Sequence, residues 1–574
     1  MAFVIGPLCA KCHACRMECP ASAVHFAGIN YVIDTQKCTE CGHCAEICPV
    51  SAITDTSKPE PAVEKHKLRK LACDLVVIGG GGAGLIAAVK AAHTTGKKVI
   101  VLEKANKVGG STTLAHGFGV NYSKWHEAEG IEDIREELIK HFLDSLGDNI
   151  DEKLLRKITY AQAPFFDWLC EFGGAEDAFV LRERGFPMGM AMRAPKKTID
   201  FPARKFENLK CEDQAVGPGW MGTYVIHKMM EQCKKLGIQV LTEYAGAKLL
   251  TDKKGKITGV LASDPGGQTQ IDCKACVIAT GCFSFNDDLI RKVCPEYFEV
   301  PLIKQAAPTC TGDGIIMAEE IGASIDYDHI RIPICTPAHH PFGYSGYRYV
   351  KQSETVIINL DGKRFTSEHL YDQLQRKHGN FVKQREGLVY AIMDEALIEK
   401  FAKRLIANPP DGTDGWILEK YREEIKTNLK NSVAIKIADT FEGLAQQFAK
   451  QFGTDPKVMV AELNKYNEFC TKGVDKDFGK DPKYLVSLEH PPYYAFYAQG
   501  FSEGTYGGIV TDENMQVLDT KCKIIPGLFA VGDTARGFAT AKDYDEEPVS
   551  TLTWAVCSGY VAGTEVSRYL TGMK

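Results

Sequence analysis

The sequence predicts a mixed α/β chain of several domains, and three observations predict it. The apolar run Leu75 to Ile78 ends in glycines spaced G-x-G-x-x-G, followed by a small-residue helical pattern and a second apolar run. Two copies of one cysteine spacing fill the first fifty residues. At 574 residues the chain is also too long for one core, and such a length divides into about three or four domains.

Composition narrows the class. With 44% hydrophobic and 25% charged residues the chain is ordinary for a globular protein. A net charge of −6 gives no reason to expect nucleic acid or an anionic membrane as partner. No apolar run reaches the ~18 residues of a membrane span. The opening MAFVIGPLCAKC lacks the basic and apolar regions of a signal peptide. The 21 cysteines point to metal ligands in a reducing compartment more than to a disulfide framework. The expected location is cytoplasmic.

The cysteine copies read Cys9-x2-Cys12-x2-Cys15-x3-Cys19-Pro20 and Cys38-x2-Cys41-x2-Cys44-x3-Cys48-Pro49. Thiolates are soft ligands suited to iron–sulfur clusters. Zinc sites usually pair two CxxC units across a gap, which leaves the third and fourth cysteines and the prolines unexplained. The repeat resembles the bacterial two-cluster ferredoxins over residues 1–57. That resemblance implies two [4Fe-4S] clusters with the fourth cysteine crossing over. Cluster one would take Cys9, Cys12, Cys15 and Cys48, and cluster two Cys38, Cys41, Cys44 and Cys19. Among the other cysteines, Cys273-x2-Cys276 reads as small core residues on the way into a buried strand.

Residues 58–71 are charged, contain proline and carry no apolar period, so they read as a linker. Leu75 to Lys104 then reads strand, turn, helix, strand, with Glu103 standing 19 residues after the third glycine. In this context Gly79 makes the tight turn, Gly81 lets a pyrophosphate approach the backbone, and Gly84 lets helix and strand pack. Gly82 and Ala83 open the helix towards the phosphates, and Glu103 can accept from a ribose hydroxyl, with Lys104 beside it. Neither Gly266-Gly267 nor Gly312-Asp313-Gly314 has a strand before and a helix after, so no second such unit is expected, and NAD(P)H is not expected to deliver electrons directly.

The run GGSTTLAHGFGV (109–120), taken with this turn, resembles the flavoprotein family of fumarate reductase, succinate dehydrogenase and 3-ketosteroid dehydrogenase, over residues 72–574. The resemblance implies FAD, with Gly110, Ser111, Thr112 and Gly117 along the pyrophosphate and flavin ring. His116 sits a few residues past the family's covalent attachment position, so the FAD is expected to be non-covalent. Helical periods cover 130–172 and 222–236. A short parallel strand at 238–242, an antiparallel meander, and a buried strand ending in Ala279-Thr280-Gly281 follow, as in FAD folds of the glutathione-reductase type. IIPGLFAVGDTA (524–535) returns the chain to the flavin domain. There the family's acid, Asp533 after Gly532, holds the ribityl chain, a role weighed against simple helix capping. Ser550 and Leu552 complete the implied cofactor set.

The implied architecture is thus a ferredoxin-like domain carrying two clusters (1–57), a linker (58–71), and a Rossmann-type FAD domain in two segments (72–307 and 491–574). An inserted α+β cap occupies 308–490. In the cap and near the C-terminus the chain departs from fumarate reductase. The His-x-Thr before Gly-Gly, the arginine acid after G-K-R-F, and the Asn-Arg-x-Gly-Gly are replaced by GTYGGIVTD (504–512), GKRFTSEHLYDQ (362–373) and GFATAKDYDEEP (537–548). The clamp for two carboxylates is gone, which argues against a dicarboxylate substrate. Glu368-x2-Tyr371-Asp372 and the Gly-Thr-x-Gly-Gly of 504–508 resemble 3-ketosteroid dehydrogenase more closely. Asp545-Glu546-Glu547 replaces the glycines of that family's Tyr-Pro-Gly region, where Arg536 and Lys542 are candidate charges.

The chemistry implied is hydride transfer at a carbon–carbon bond beside a carbonyl, with Tyr371 as the acid at the α carbon. Tyr506 and Tyr544 are candidate donors to the carbonyl oxygen. Each tyrosine is also readable as a core or rim aromatic, Tyr506 and Tyr544 more so than Tyr371. The run PFGYSGYRY (341–349) after His339-His340 reads as pocket lining or as a packed loop. Expected partners are an unsaturated carbonyl substrate and a soluble donor such as a ferredoxin, a flavodoxin or a reductase. The alternatives are a 3-ketosteroid-type dehydrogenase whose clusters drain the flavin, and an electron-transfer flavoprotein with no substrate of its own.

Overall fold

The computed structural model describes residues 3–12, 14–27, 31–48, 50–57, 68–115, 117–183, 197–200, 221–295, 303–332, 334–335, 353–368, 383–407, 435–499, 501–502, 504–538 and 550–572. Among them the chain forms two compact units.

The larger unit comprises Glu60–Cys294, Thr309–Ile332 and Gly504–Lys574. Its centre is a six-stranded sheet ordered Gln239–Thr242, Val99–Glu103, Leu75–Ile78, Ala275–Ile278, Ile524–Ala530 and Gln516–Leu518. The first five strands run parallel and the last is antiparallel. All four residues of Leu75–Ile78 and all four of Ala275–Ile278 are buried. That is why these runs are apolar without alternation, since a parallel strand is covered on both faces. The strand Ile524–Ala530, more than 200 residues downstream, pairs beside Ala275–Ile278, so two distant segments share one sheet.

Helix Gly82–Thr95 lies against the C-terminal helix Thr551–Thr571. Their approach depends on small residues: a Cβ on Gly559 would stand 2.4 Å from the Ala83 carbonyl oxygen, and one on Gly563 would stand 2.7 Å from Cβ of Lys90. The expected meander forms as Ala245–Thr251, Ile257–Asp264 and Gly267–Asp272. It gains a fourth strand, Arg69–Ala72, parallel to Gly267–Asp272. The linker expected over 58–71 therefore ends in a sheet edge, whose backbone ladder requires no apolar side chains; residues 58–67 lie outside the described set.

The smaller unit comprises Met1–Pro59, Pro295–Pro308 and Pro333–Glu503. It differs at both ends from the cap expected over 308–490. Ile325–Arg331 pairs with Tyr506–Ile509 in the larger unit, whereas Tyr493–Gln499 pairs with Leu388–Asp394 inside the smaller one. The latter strands belong to an antiparallel sheet ordered Val356–Asn359, Leu388–Asp394, Tyr493–Gln499 and Ile435–Ala438. Helices Phe441–Phe452 and Pro456–Lys472 pack on it through Leu444, Phe448, Met459 and Leu463.

The cysteine-rich segment packs into this same unit. Its strands pair as Phe3–Ile5 with Ile53–Asp55 and Val24–Phe26 with Tyr31–Ile33. Lys304 N–H donates to the Ala10 carbonyl (3.1 Å), and Gln499 Nε2 donates to the Lys11 carbonyl (3.1 Å). Arg16 pairs with Glu386, and Ile303 packs on Cys12 and Ala14.

A buried ion network anchors the loop that leads out of Val356–Asn359. Arg364 donates to Glu368 through Nε (2.9 Å) and Nη2 (2.8 Å), and to Asp475 (2.9 Å). Lys480 Nζ stands 3.5 Å from Glu368 and donates to the Thr355 carbonyl and Tyr466 hydroxyl. Burial opposes ionisation of Glu368 and Asp475. The cations Lys480 and Arg364 outweigh it at Glu368, as Arg364 does at Asp475, so both carboxyls lie below their ordinary values.

Truncating one partner leaves uncompensated charge in the core. We expect Glu368→Gln to cost about 3–5 kcal/mol, read as a lowered urea midpoint for this unit. Because the folded carboxyls titrate below their unfolded values, their stabilisation is complete above about pH 5 and is lost progressively as pH falls below about 4 towards the depressed folded values. The wild type should lose midpoint there faster than the variant.

Candidate functional site

The carboxyl ends of the parallel strands are where open α/β sheets bind ligands, and the loops of the larger unit converge there. The turn after Leu75–Ile78 needs its glycines for separate reasons. Gly79 has φ +113°, and a Cβ on it would stand 2.1 Å from the Ala279 carbonyl oxygen. A Cβ on Gly84 would stand 2.0 Å from the Gly79 carbonyl oxygen. Around Gly81 the nearest atom to such a Cβ is 3.8 Å away. The first and third glycines are closed by the protein itself and the second presents bare backbone. That is the cradle a pyrophosphate requires.

Glu103, buried at the end of the next strand, holds this turn. Its Oε2 accepts from Gly80 N–H (2.9 Å) and its Oε1 from Ala105 N–H (2.7 Å). Burial pushes its carboxyl up, against those two donors. Lys104 turns away from the cradle, donating to Thr311 Oγ1 (2.5 Å) and Asp313 Oδ2 (2.7 Å). Helix Asp313–Glu320 follows Gly312 directly, so Gly312-Asp313-Gly314 does have the helix it was expected to lack. The Lys104–Asp313 pair occupies the helix's first turn.

The short helix Gly110–Leu114 lies beside the turn: Thr112 Oγ1 accepts from Gly82 N–H (3.0 Å), and Gly117 is buried just beyond. Gly532–Thr534 follows the strand Ile524–Ala530. Val531, not Asp533, is the residue that caps this short turn of helix. Thr280 and Thr534 hydroxyls meet at 3.2 Å, joining the two chain segments. Ser550 is the N-cap of the last helix, accepting from Thr553 N–H (3.2 Å), and Leu552 is buried behind it.

The segment Gly504–Gly508 ties these loops together. Thr505 Oγ1 accepts from Phe283 N–H (3.1 Å). Gly508 has φ +145°, and a Cβ there would be 2.5 Å from the Thr534 carbonyl oxygen. Tyr506 hydroxyl meets Thr551 Oγ1 at 2.5 Å. Arg536, a candidate substrate charge, donates to Asp151 (3.1 Å) and stands 4.0 Å from Asp326. Tyr371, Tyr544, His116, Lys542, His339-His340 and residues 341–349 lie outside the described set.

In the smaller unit the eight cysteines sort into two groups of four. Cys9, Cys12, Cys15 and Cys48 line one apolar cavity of about 20 Å³ with Tyr31 and Ile53. Cys44 has Cys38, Cys19 and Cys41 as its charge neighbours. Main-chain N–H groups point at sulfurs in matched positions: Lys11 to Cys9 (3.4 Å) and Glu40 to Cys38 (3.4 Å), Ala23 to Cys19 (3.3 Å) and Ala52 to Cys48 (3.2 Å). The loops are copied down to their left-handed residues, Lys11 and Glu40, Ser22 and Ser51. Burial pushes the thiols of Cys9, Cys12 and Cys15 up, and neighbouring cysteines add to it. Four thiolates around an apolar cavity need cationic charge among them, which suits iron. Cys276 instead sits fully buried in a parallel strand, a core residue as expected.

Two further cysteines escaped the sequence reading. Cys282 directly follows Ala279-Thr280-Gly281, and Cys310 precedes the Gly312 turn; Cys310 Sγ lies beside Ser111 Oγ (3.5 Å) and against Gly281. Their places at two loop starts were the available signal.

A nucleotide cradle joined by chain to paired four-cysteine sets defines a flavin- and iron–sulfur-dependent redox protein. The chain belongs to the FAD binding domain family, whose profile matches residues 74–543, and it is an FAD-dependent oxidoreductase; a 4Fe-4S binding domain profile matches residues 31–54. It is 27% identical over 524 residues to a vinyl phenol reductase of Lactiplantibacillus plantarum, covering 86% of this chain and 96% of the relative. It is 28% identical over 472 residues to a urocanate reductase of Eggerthella lenta, covering 80% and 70%. The fold resembles that of a flavocytochrome c3 fumarate reductase in its open conformation, with TM-score 0.67 at 23% identity, over 87% of this chain and 79% of that one. No helix among the described residues is long and apolar enough to cross a membrane.

Gly84→Ala drives a methyl into the Gly79 carbonyl. Overpacking of this kind costs about 1–3 kcal/mol, so flavin affinity should fall roughly tenfold or more, measured by the ratio of flavin to protein absorbance after dialysis.

Proposed function

We propose that the chain is a reductase of activated carbon–carbon double bonds. In this reading a donor feeds electrons singly through two [4Fe-4S] clusters to a non-covalent FAD. The carrying observation is the pairing of two four-cysteine sets with an FAD cradle in one chain. That arrangement supplies one-electron entry to a two-electron cofactor. Relatives named for vinyl phenol, urocanate and fumarate support a C=C substrate. The loss of the cationic clamp near 362–373 and 537–548 favours one that is not a dicarboxylate.

Bound FAD supplies hydride chemistry, and the clusters supply one-electron transfer. The protein's part is holding and proton management. Gly79, Gly81 and Gly84 with the start of helix Gly82–Thr95 seat the pyrophosphate, Glu103 stiffens the turn and accepts from the ribose, and Asp533 holds the ribityl chain. Ser111 and Thr112 line the ring. Cys9, Cys12, Cys15 and Cys48 hold one cluster, and Cys19, Cys38, Cys41 and Cys44 the other. Tyr371 gives the proton to the α carbon. Tyr506, with Thr551 behind its hydroxyl, and Tyr544 are the donors assigned to the carbonyl oxygen.

Two measurements test this. The anaerobically reduced protein, offered a panel of enones and enoates with fumarate included, should show rapid flavin reoxidation by a bulky enone or monoacid. Tyr371→Phe should slow it by about 10²–10⁴. Reoxidation by fumarate alone sinks the substrate argument, and reoxidation by nothing small points to the dehydrogenase direction or to a relay. Separately, Cys48→Ser should remove one cluster and Cys38→Ser the other, each halving iron per chain. Retention of full iron in either variant overturns the cluster assignment.

A further inference from the structure

Cys282 and Cys310 are both buried, at 1% and 4% exposure, and come from loops 28 residues apart in sequence. They are spatial neighbours: Cys310 Sγ lies against Gly281, the residue before Cys282. Cys282 Sγ also meets Ser284 Oγ at 3.3 Å, and Cys310 Sγ meets Ser111 Oγ at 3.5 Å. Each sulfur thus has a serine hydroxyl as partner, and Ser111 lies in the Gly110–Leu114 segment beside the glycine turn. Each sulfur also lies against a glycine of the converging loops. A Cβ on Gly281 would stand 3.2 Å from Cys310 Sγ, and one on Gly504 would stand 3.5 Å from Cys282 Sγ.

Other buried thiols in this unit are different. Burial alone pushes Cys233 and Cys557 up, and at Cys276 burial leads, as expected of small core residues. At Cys282 the neighbouring thiol of Cys310 leads, outweighing burial and lowering it, while Cys310 is raised. The two thiols shift in opposite directions because each is the other's neighbour.

We propose that Cys282 and Cys310 form a redox-active dithiol that exchanges two electrons with the flavin. The inference rests on the flavin site and is independent of the substrate assigned above. In the oxidative sense both S–H bonds break and one S–S bond forms. Two electrons and two protons pass to the isoalloxazine, which is reduced as the dithiol is oxidised; the reverse step consumes the same electrons and protons. The pair gives a protein fed by single electrons a second two-electron store against the ring.

The test is an anaerobic dithionite titration of the air-oxidised holoprotein beside Cys282→Ser/Cys310→Ser. The wild type should take up two more electrons per chain than the double variant, with the flavin bleaching fully in both. Diamide treatment of the wild type, followed by alkylation under denaturing conditions and peptide mass analysis, should yield a Cys282–Cys310 crosslinked peptide. That second measurement needs neither flavin nor a folded variant. Equal electron uptake in the two proteins, or alkylation of both cysteines after diamide, overturns the proposal. A variant that binds no flavin is decided by the peptide arm alone.

Discussion

The larger unit depends on backbone packed against backbone where a side chain would ordinarily stand. The Ala279 carbonyl fills the place of a Cβ on Gly79, the Gly79 carbonyl that of a Cβ on Gly84, and the Ala83 carbonyl that of a Cβ on Gly559. These three contacts run from the strand Ala275–Ile278 through the turn into helix Gly82–Thr95 and on to the C-terminal helix. Glu103 closes the turn from the other side by holding Gly80 and Ala105 N–H groups. Each contact fixes carbon and oxygen positions to within van der Waals tolerance, because an interior packed at crystal density has no slack to absorb a methyl group. The converging loops inherit their positions from this stack.

The smaller unit solves a different problem, holding charge away from water. Arg364 and Lys480 offset Glu368 and Asp475, so a carboxylate that looks in sequence like part of a reactive motif is a fully buried structural anchor. Four thiolates around an apolar cavity would pose the same electrostatic difficulty, negative charge away from water that needs cations beside it.

Much of this was legible in the sequence. Uninterrupted apolar runs marked the parallel strands, because burial on both faces removes the polar alternation that would otherwise identify a strand. Cysteine spacing marked both four-cysteine groups, because the repeated spacing folds into repeated loops. Edges were harder. Arg69–Ala72 pairs through its backbone while its side chains stay largely exposed, so nothing in its composition separates it from a linker. The division between units at 309–332 and 491–503 was also hidden, since it turns on strand partners far away in the chain. Cys282 and Cys310 could not be paired at all without the fold, as the contact lies between the ends of two loops and leaves no periodic trace.

The place of the cysteine-rich segment has a consequence for how such a chain can be reassembled. Its loops donate and accept directly across to Lys304, Gln499 and Glu386, and Cys12 shares a core with Ile303. The two halves of its internal repeat are therefore not equivalent: Lys11 of the first copy is engaged through its carbonyl, while its counterpart Glu40 lies in an exposed loop. The segment is a seated component rather than a portable cassette. Exchanging it for another ferredoxin would preserve the ligand spacing and lose the seat, and a transplant onto a foreign flavoprotein would have to bring along Ile303, Lys304, Glu386 and Gln499 as its mounting.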